Sequence, residues 1–147
     1  MLMTMEPTQP VEGQPGQSSR APYQILLVSD DAIFIEAVAL AIRAEGHVPT
    51  IVSSGDEALR CVHSQHYDLI ASKFDLPRMN GEELASWVKA LLPTQPFVLV
   101  MNERDHSDPH KPSVADVVLR KPFTLEEARK VFYKLVRSGR HGEANAP

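Results

Sequence analysis

Between residues 23 and 138 the sequence alternates short apolar runs with longer stretches whose apolar residues recur at helical spacing. Two of the runs, residues 23–28 and 97–101, contain no charged side chain and are long enough for one strand each. Strands of this kind are typical of a parallel sheet that is covered by helices on both faces. Because runs and helical stretches take turns along the chain, the sequence predicts an α/β fold rather than a helical bundle or a β-sandwich.

The alternation predicts five strand–helix units, a (βα)₅ order. We expect strands at residues 23–28, 47–52, 67–72, 97–101 and 117–119. We expect helices at residues 31–45, from 54 onward, at 81–92 and at 124–136. Gly46 after the first helix and Pro93 after the third are the usual stop signals, so both helix ends are well marked.

Two segments of this pattern carry further expectations. In the first helix, the apolar residues at helical spacing predict the face that packs on the sheet; they are Ile33, Ala37, Leu40, Ala41 and Ala44. Residues 102–113 contain two prolines and almost no apolar periodicity. The fourth helix is therefore expected to be shortened or absent, leaving a loop or a single turn.

Composition narrows the class of protein. The formal net charge of −4 gives no basic surface for nucleic acid or for an anionic membrane, and no apolar stretch reaches the roughly 20 residues that span a bilayer. Cys61 is the single cysteine, which excludes an internal disulfide and fits a reducing cytoplasm. Residues 1–22 and 139–147 are polar and unpatterned, so we expect two flexible tails around one domain at residues 23–138.

Functional residues are expected where the strands end. In a parallel sheet the loops at the carboxyl ends of the strands converge near the point where strand order reverses. The ends of the first, third, fourth and fifth strands carry Asp30, Lys73, Met101 and Lys121. These four ends define the predicted pocket.

At this point the chain resembles the response regulator receiver domain of two-component signalling. The resemblance rests on four segments in register: ILLVSDD at 25–31, DLI at 68–70, DLPRMNG at 75–81, and AD at 115–116 through KPF at 121–123. It covers nearly all of residues 23–138. It implies a flavodoxin-like, doubly wound sheet of five parallel strands in the order 2-1-3-4-5, with a Lys-Pro bond that is normally cis.

The resemblance also implies which residues should carry the family's chemistry, and most of them differ here. Ser29 stands at the first magnesium-binding acid and Asp30 at the second. Lys73 stands at the phosphate-accepting aspartate, four residues before the loop proline. Met101 stands at the position of a hydroxyl residue, and Lys121 is retained. Val118 replaces the aromatic residue that usually rotates on activation.

The charges of this pocket argue against the binding of a metal ion and against phosphorylation. Asp30, Lys73 and Lys121 sum to +1, whereas the family pattern of three carboxylates and one lysine sums to −2 and attracts Mg²⁺. A divalent cation about 4 Å from one ammonium is repelled by roughly 8 kcal/mol at an effective dielectric constant near 20. We therefore predict that Mg²⁺ binding is lost, that no cofactor is needed, and that Lys73 cannot form an acyl phosphate.

Two positions are open for the Lys73 side chain. It either donates a hydrogen bond to Asp30, so that its ammonium lies near the metal position, or extends into solvent and leaves an inactive pocket. Asp75 or Asp31 could replace the acceptor, although the register directs Asp75 away from the pocket.

Three functions fit these observations. The leading hypothesis is a pseudo-receiver: a cytoplasmic module of bacterial signalling that is not an enzyme and that binds a protein partner or a second copy without phosphorylation. The alternatives are a receiver phosphorylated at another residue and, less favoured, an enzyme in which Lys121 lowers the pKa of a nucleophilic Lys73.

The partner surface is expected on the side formed by the fourth helix region, the fifth strand and the last helix, or on the first helix. No DNA-binding output is expected in this chain. Trp87 on the third helix is either an exposed anchor for a partner or a half-buried packing residue.

Overall fold

The computed structural model describes residues 22–105 and 111–145, and from residue 139 onward the backbone alone. Five strands form one parallel sheet: β1 (Gln24–Val28), β2 (Val48–Val52), β3 (Leu69–Lys73), β4 (Phe97–Met101) and β5 (Val117–Arg120). The described helices are α1 (Ala32–Ala44), α2 (Gly55–Ser64), α3 (Gly81–Leu91) and α4 (Leu125–Asn145). The sheet order β2-β1-β3-β4-β5 confirms the predicted flavodoxin-like arrangement.

Strand register brings the expected pocket residues to one edge of the sheet. Val28, the last residue of β1, pairs with Val52 of β2 and with Ser72 of β3. The next residues along β1 and β3 are Ser29 and Lys73, so these two leave the sheet side by side. Because the strands are parallel, their carboxyl ends open to the same loops.

Helices cover both faces of the sheet, and alternate residues of each strand face opposite layers. On one face Ile25 and Leu27 pack with α1 and α4. On the other face Leu26 and Val28 pack with α2 and α3. All four are fully buried, and a buried Leu, Ile or Val contributes roughly 1.5–3 kcal/mol, so the two layers together hold the sheet in place.

The prediction for the packed face of α1 was wrong. Ile33 is 88% exposed and Leu40 is 67% exposed, whereas Ile35, Val38 and Ile42 are buried against the sheet. Apart from the side that carries Glu36 and Arg43, α1 is apolar all round, so the spacing of its apolar residues alone selects no face. The direction in which the chain enters from β1 decides which apolar stripe is buried.

The helix starts next to the pocket are capped by short polar side chains. Asp31 caps α1, because its Oδ1 accepts a hydrogen bond of 3.2 Å from the Phe34 N–H. Asn80 caps α3, accepting 2.8 Å from the Glu83 N–H while the Glu83 carboxylate accepts 2.9 Å from the Asn80 N–H. This reciprocal capping box satisfies two otherwise unpaired donors and fixes where the loop after β3 ends.

The last helix is longer than the sequence predicts, and the described part of residues 102–116 contains no helix. The last helix was predicted to end at Val136, but α4 runs to Asn145 and replaces most of the predicted C-terminal tail. Gly139 and Gly142 each weaken a helix by about 1 kcal/mol, yet unlike proline they keep the hydrogen bond, so neither stops it. Residues 102–105 and 111–116 contain no helix, while 106–110 and the predicted tail residues 1–21 lie outside the described residues.

Within the described residues, no helix has both the length and the apolarity needed to cross a bilayer.

Candidate functional site

The centre of the site is an ion pair between the ends of β1 and β3. Lys73 Nζ donates a hydrogen bond of 2.8 Å to Asp30 Oδ1. The Lys73 side chain is 22% exposed and the Asp30 side chain 42% exposed, so the pair lies at the rim of the sheet, partly shielded from water. Of the two positions open to Lys73 from the sequence, the structure has the one that faces Asp30.

Each partner of this pair stabilises the charged form of the other. The hydrogen bond from Lys73 lowers the pKa of Asp30, against a smaller opposing effect of burial. The hydrogen bond to Asp30 raises the pKa of Lys73, with further support from the charges of Asp75 and Asp31. A raised pKa keeps the amine protonated, which is the opposite of what a nucleophilic lysine requires.

Ser29 does not face the site as a free hydroxyl. It is buried, its N–H donates 3.0 Å to the Val52 carbonyl, and its Oγ accepts 3.0 Å from the Asp31 N–H. These bonds shape the turn from β1 into α1 and aim Asp31 at the first turn of the helix. The side chains of Ser29 and Asp31, which flank Asp30, therefore both accept hydrogen bonds from backbone N–H groups.

Lys121 takes a different position from Lys73. Its Nζ lies 4.3 Å from the centre of the Phe34 ring, a cation–π contact, and Phe34 meets Phe123 edge to face at 5.8 Å between ring centres. The Lys121 N–H donates 2.9 Å to the Met101 carbonyl, and the Lys121–Pro122 bond is cis, as the resemblance implied. The ammonium is thus held by an aromatic face on α1.

Met101 and Val118 belong to the core instead of the pocket. Met101 is 1% exposed and packs in the layer under α2 and α3, where Val118 lies partly buried against it. An apolar, unbranched side chain at position 101 fills space and offers no hydroxyl hydrogen bond. The residues predicted to form one pocket therefore lie in three places. Asp30 pairs with Lys73, and Lys121 contacts Phe34. Met101 and Val118 pack in the layer under α2 and α3.

A cavity of about 20 Å³ lies below the ion pair. Ser29, Lys73 and Lys121 reach its rim, and its walls are mostly apolar. A space of this size holds about one water molecule. It offers no room for an organic substrate.

The loop after β3 is pressed against the strand end. The Gly81 N–H donates 2.7 Å to the Phe74 carbonyl, and a Cβ at Gly81 would collide with the Lys73 carbonyl and lie 2.6 Å from Leu99 Cδ1. Asp75 is exposed, and its charge is close enough to Lys73 to help raise the pKa of that lysine. The absence of a side chain at Gly81 therefore allows the start of α3 to lie directly against the end of β3.

Sequence reasoning missed Phe34, Phe123 and Gly81. The two aromatic residues sit on separate elements, and no spacing rule connects them with Lys121. A glycine directly after a helix-capping asparagine was visible in the sequence, and it was the one available signal of close packing at this point.

The sequence of this chain is similar to a known protein family and to several curated proteins. A family model described as the response regulator receiver domain matches residues 25–132. The transcriptional regulatory protein PmrA of Pectobacterium parmentieri is 32% identical over 127 residues, which cover 84% of this chain and 56% of PmrA. The DNA-binding response regulator MtrA of Mycobacterium leprae is 31% identical over 106 residues, covering 71% of this chain and 47% of MtrA. This chain thus spans about half the length of these relatives, and 18% of a third, GlrR of Escherichia coli.

Solved structures give the same picture of the fold. The receiver domain of a signal transduction histidine kinase from Syntrophus aciditrophicus superposes with a TM-score of 0.69 at 26% identity, covering 79% of this chain and 91% of that one. A CheY-like receiver domain from Methanospirillum hungatei has a TM-score of 0.74 at 19% identity, covering 82% and 98%. At 19% identity the second comparison speaks for the fold alone.

Proposed function

We propose that this chain, which belongs to the response regulator receiver domain family, is a pseudo-receiver that signals through protein contacts without being phosphorylated. One observation carries the proposal: Lys73 stands at the acceptor position and its ammonium donates 2.8 Å to Asp30. Phosphoryl transfer to an aspartate needs a free carboxylate and a metal that neutralises the transferring group. Here the acceptor is a cation, and the remaining acid is already paired.

The donor set at the metal position supports the loss of Mg²⁺. Mg²⁺ prefers near-octahedral oxygen ligands and is usually held by carboxylates. Asp30 is the one carboxylate left at the two positions that hold magnesium-binding acids in the family. At the other position, the Ser29 hydroxyl oxygen accepts a hydrogen bond from the Asp31 N–H. A metal that approached Asp30 would have to displace the Lys73 ammonium and then remain close to it, so the residues present do not fit this ion.

The switch positions support a pocket that stays in one state. In the family, a hydroxyl residue after the fourth strand and an aromatic residue on the fifth report phosphorylation to the surface. At those positions Met101 is buried in the core and Val118 is partly buried against it. Met101 has no hydroxyl to form the hydrogen bond, and Val118 has no ring to rotate. The proposal is therefore that the interaction surface keeps one conformation.

We further propose that the module acts in the cytoplasm on a protein partner or on a second copy, and that it is neither an enzyme nor a binder of nucleic acid or membrane. The formal net charge of −4 supports this, because it gives no basic surface for nucleic acid or for an anionic membrane. The candidate surfaces are α1 and the side formed by residues 102–116, β5 and α4. Trp87, 58% exposed on α3, is a further exposed anchor.

A labelling experiment tests the proposal. The full chain is incubated with acetyl phosphate and Mg²⁺ and analysed by intact mass spectrometry, with a phosphorylatable receiver domain as the positive control. We expect no phosphorylated species. A stoichiometric adduct on Asp75 or Asp31 would instead establish a receiver with a displaced acceptor.

A further inference from the structure

The outer face of α1 carries apolar side chains that the fold does not bury. Ile33 is 88% exposed and Leu40 is 67% exposed, the two largest exposures among the exposed large apolar residues of the described chain. Ala37 and Ala44 are exposed on the same face. A continuous apolar stripe on an exposed helix is a common feature of interaction surfaces.

Large and small side chains alternate along the stripe, so the stripe is complementary in shape to an antiparallel copy of itself. Read along α1, the exposed residues are large, small, large, small: Ile33, Ala37, Leu40, Ala44. When a second copy of α1 is placed against the first in the antiparallel direction, Ile33 meets Ala44 of the second copy. Ala37 then meets Leu40 of the second copy. Every bulky side chain faces a methyl group, the ridge-into-groove complementarity that helix packing requires.

Two opposite charges flank the stripe. Glu36 and Arg43 are exposed, lie on the same side of the stripe by the 100° turn per residue, and form no salt bridge within the described residues. On the other flank Glu45 pairs with Arg129 of α4. The side with Glu36 and Arg43 therefore points away from α4, toward solvent.

The antiparallel arrangement also pairs these charges. A two-fold axis across the helices keeps the charged flank of both copies on one side. With a rise of about 1.5 Å per residue, Glu36 of one copy lies about 3 Å along the helix axis from Arg43 of the other. Two symmetric Glu36–Arg43 ion pairs follow, whereas a parallel two-fold arrangement would place the charged flanks of the two copies on opposite sides of the interface and form neither pair.

We propose that α1 is a self-association surface, through which two copies of this chain form an antiparallel, two-fold symmetric dimer. The occupant is a second copy because the stripe and its charges complement themselves. The inference builds on the proposed function by naming its partner. Its test measures mass in solution, whereas the proposed function is tested by phosphate incorporation, so either can fail without the other.

Sedimentation of the full chain over a range of concentrations tests the dimer. We expect a concentration-dependent transition from monomer to dimer, and Leu40→Glu to raise the dissociation constant of the dimer by at least about tenfold. Leu92→Glu, at an exposed apolar residue after α3, is the matched control and should leave the dissociation constant unchanged. A wild-type chain that remains monomeric at about 1 mM would overturn the proposal.

A charge exchange tests the geometry. Glu36→Arg alone and Arg43→Glu alone each bring like charges together across the dimer and should weaken it by about threefold to tenfold at low salt. The double variant Glu36→Arg/Arg43→Glu restores both ion pairs in exchanged order and should recover wild-type association. A double variant as weak as the single variants, or a dimer indifferent to Leu40→Glu, would contradict the antiparallel arrangement.

Discussion

The Lys73 ammonium donates a hydrogen bond of 2.8 Å to the Asp30 carboxylate across the ends of β3 and β1. In the receiver family these two positions hold a phosphate acceptor and a metal ligand, two negative groups that Mg²⁺ brings together. Here an internal cation binds the remaining acid directly. The Lys73 ammonium therefore lies beside the acid that would hold a metal, which supports the proposal that the fold is kept without phosphoryl transfer.

The ion pair should be visible in the titration of Asp30. Lys73 lowers the pKa of Asp30, so Lys73→Met should raise it toward the ordinary value of 3.8. Carboxyl ¹³C chemical shifts followed by NMR measure this directly. Arg78→Met, which removes the separate 2.8 Å pair with Asp56, serves as the control and should leave Asp30 unchanged. An equal titration of Asp30 in wild type and Lys73→Met would refute the pair in solution.

The same pair predicts how stability depends on pH. A lowered Asp30 pKa stabilises the fold above pH 3.8, and this contribution is lost as pH falls through the folded-state pKa. A raised Lys73 pKa stabilises it below pH 10.5, and this is lost as pH rises through the folded-state pKa. Because both groups are partly exposed, we expect Lys73→Met to cost about 0.5–1 kcal/mol of unfolding free energy at neutral pH, measured by urea denaturation, and less at pH 2.

Restoring an acid at position 73 should restore a response to Mg²⁺. Lys73→Asp places two carboxylates side by side, which should lower the free energy of unfolding by about 1 kcal/mol at low salt. Mg²⁺ should then raise the melting temperature of this variant and leave that of the wild type unchanged. Adding Asp30→Asn should abolish the effect. A wild-type chain stabilised by Mg²⁺ as strongly as the variant would contradict the assignment.

The contact between Gly81 and the end of β3 should be intolerant of a methyl group. Gly81→Ala forces a Cβ against the Lys73 carbonyl and Leu99, and backbone atoms cannot yield cheaply, so we expect a loss of about 2–3 kcal/mol. Gly46→Ala is the comparison: it has open space but a φ of +89°, so only about 1 kcal/mol of backbone strain is expected. Chemical denaturation of both variants measures the difference, and equal losses would show that the contact is loose.

Met101 should behave as a core residue. Met101→Thr restores the hydroxyl of the family pattern, yet it leaves a cavity and buries a polar group, so a loss of about 2–4 kcal/mol is expected. Met101→Leu, of similar volume, should cost less than about 1.5 kcal/mol. Neither variant should incorporate phosphate from acetyl phosphate. A stable, phosphorylatable Met101→Thr protein would place Met101 in the pocket after all.

Most of the fold could be predicted from the sequence because apolar runs such as 97–101 require burial on both faces and therefore a parallel sheet. The face of α1 could not be predicted. Ile33 and Ile35 are equally apolar, and only the packing of the whole helix on β1 decides that Ile35 is buried while Ile33 is exposed. The end of α4 was misjudged for a related reason, since glycine weakens a helix without ending it.

The site was predictable where it depends on strand register and not where it depends on side-chain direction. The positions of Asp30 and Lys73 follow from adjacent strands that end together, so their contact was one of two expected outcomes. The position of Lys121 over Phe34 depends on the rotation of α1 about its axis, which no spacing in the sequence reveals. Met101, expected in the pocket, lies in the core because side chains alternate along β4, and Met101 shares the face of Leu99 that packs under α2 and α3.

One measurement tests the central claim most directly: titration of the ¹⁵N-labelled full chain with Mg²⁺ and beryllofluoride, followed by backbone NMR. Beryllofluoride with Mg²⁺ imitates a phosphorylated aspartate. If Lys73 and Asp30 close the pocket, amide resonances near Asp30 and Lys121 should not shift in a saturable way. Saturable shifts of these resonances would show that the pocket still binds the metal and the phosphoryl analogue, and the pseudo-receiver account would be wrong.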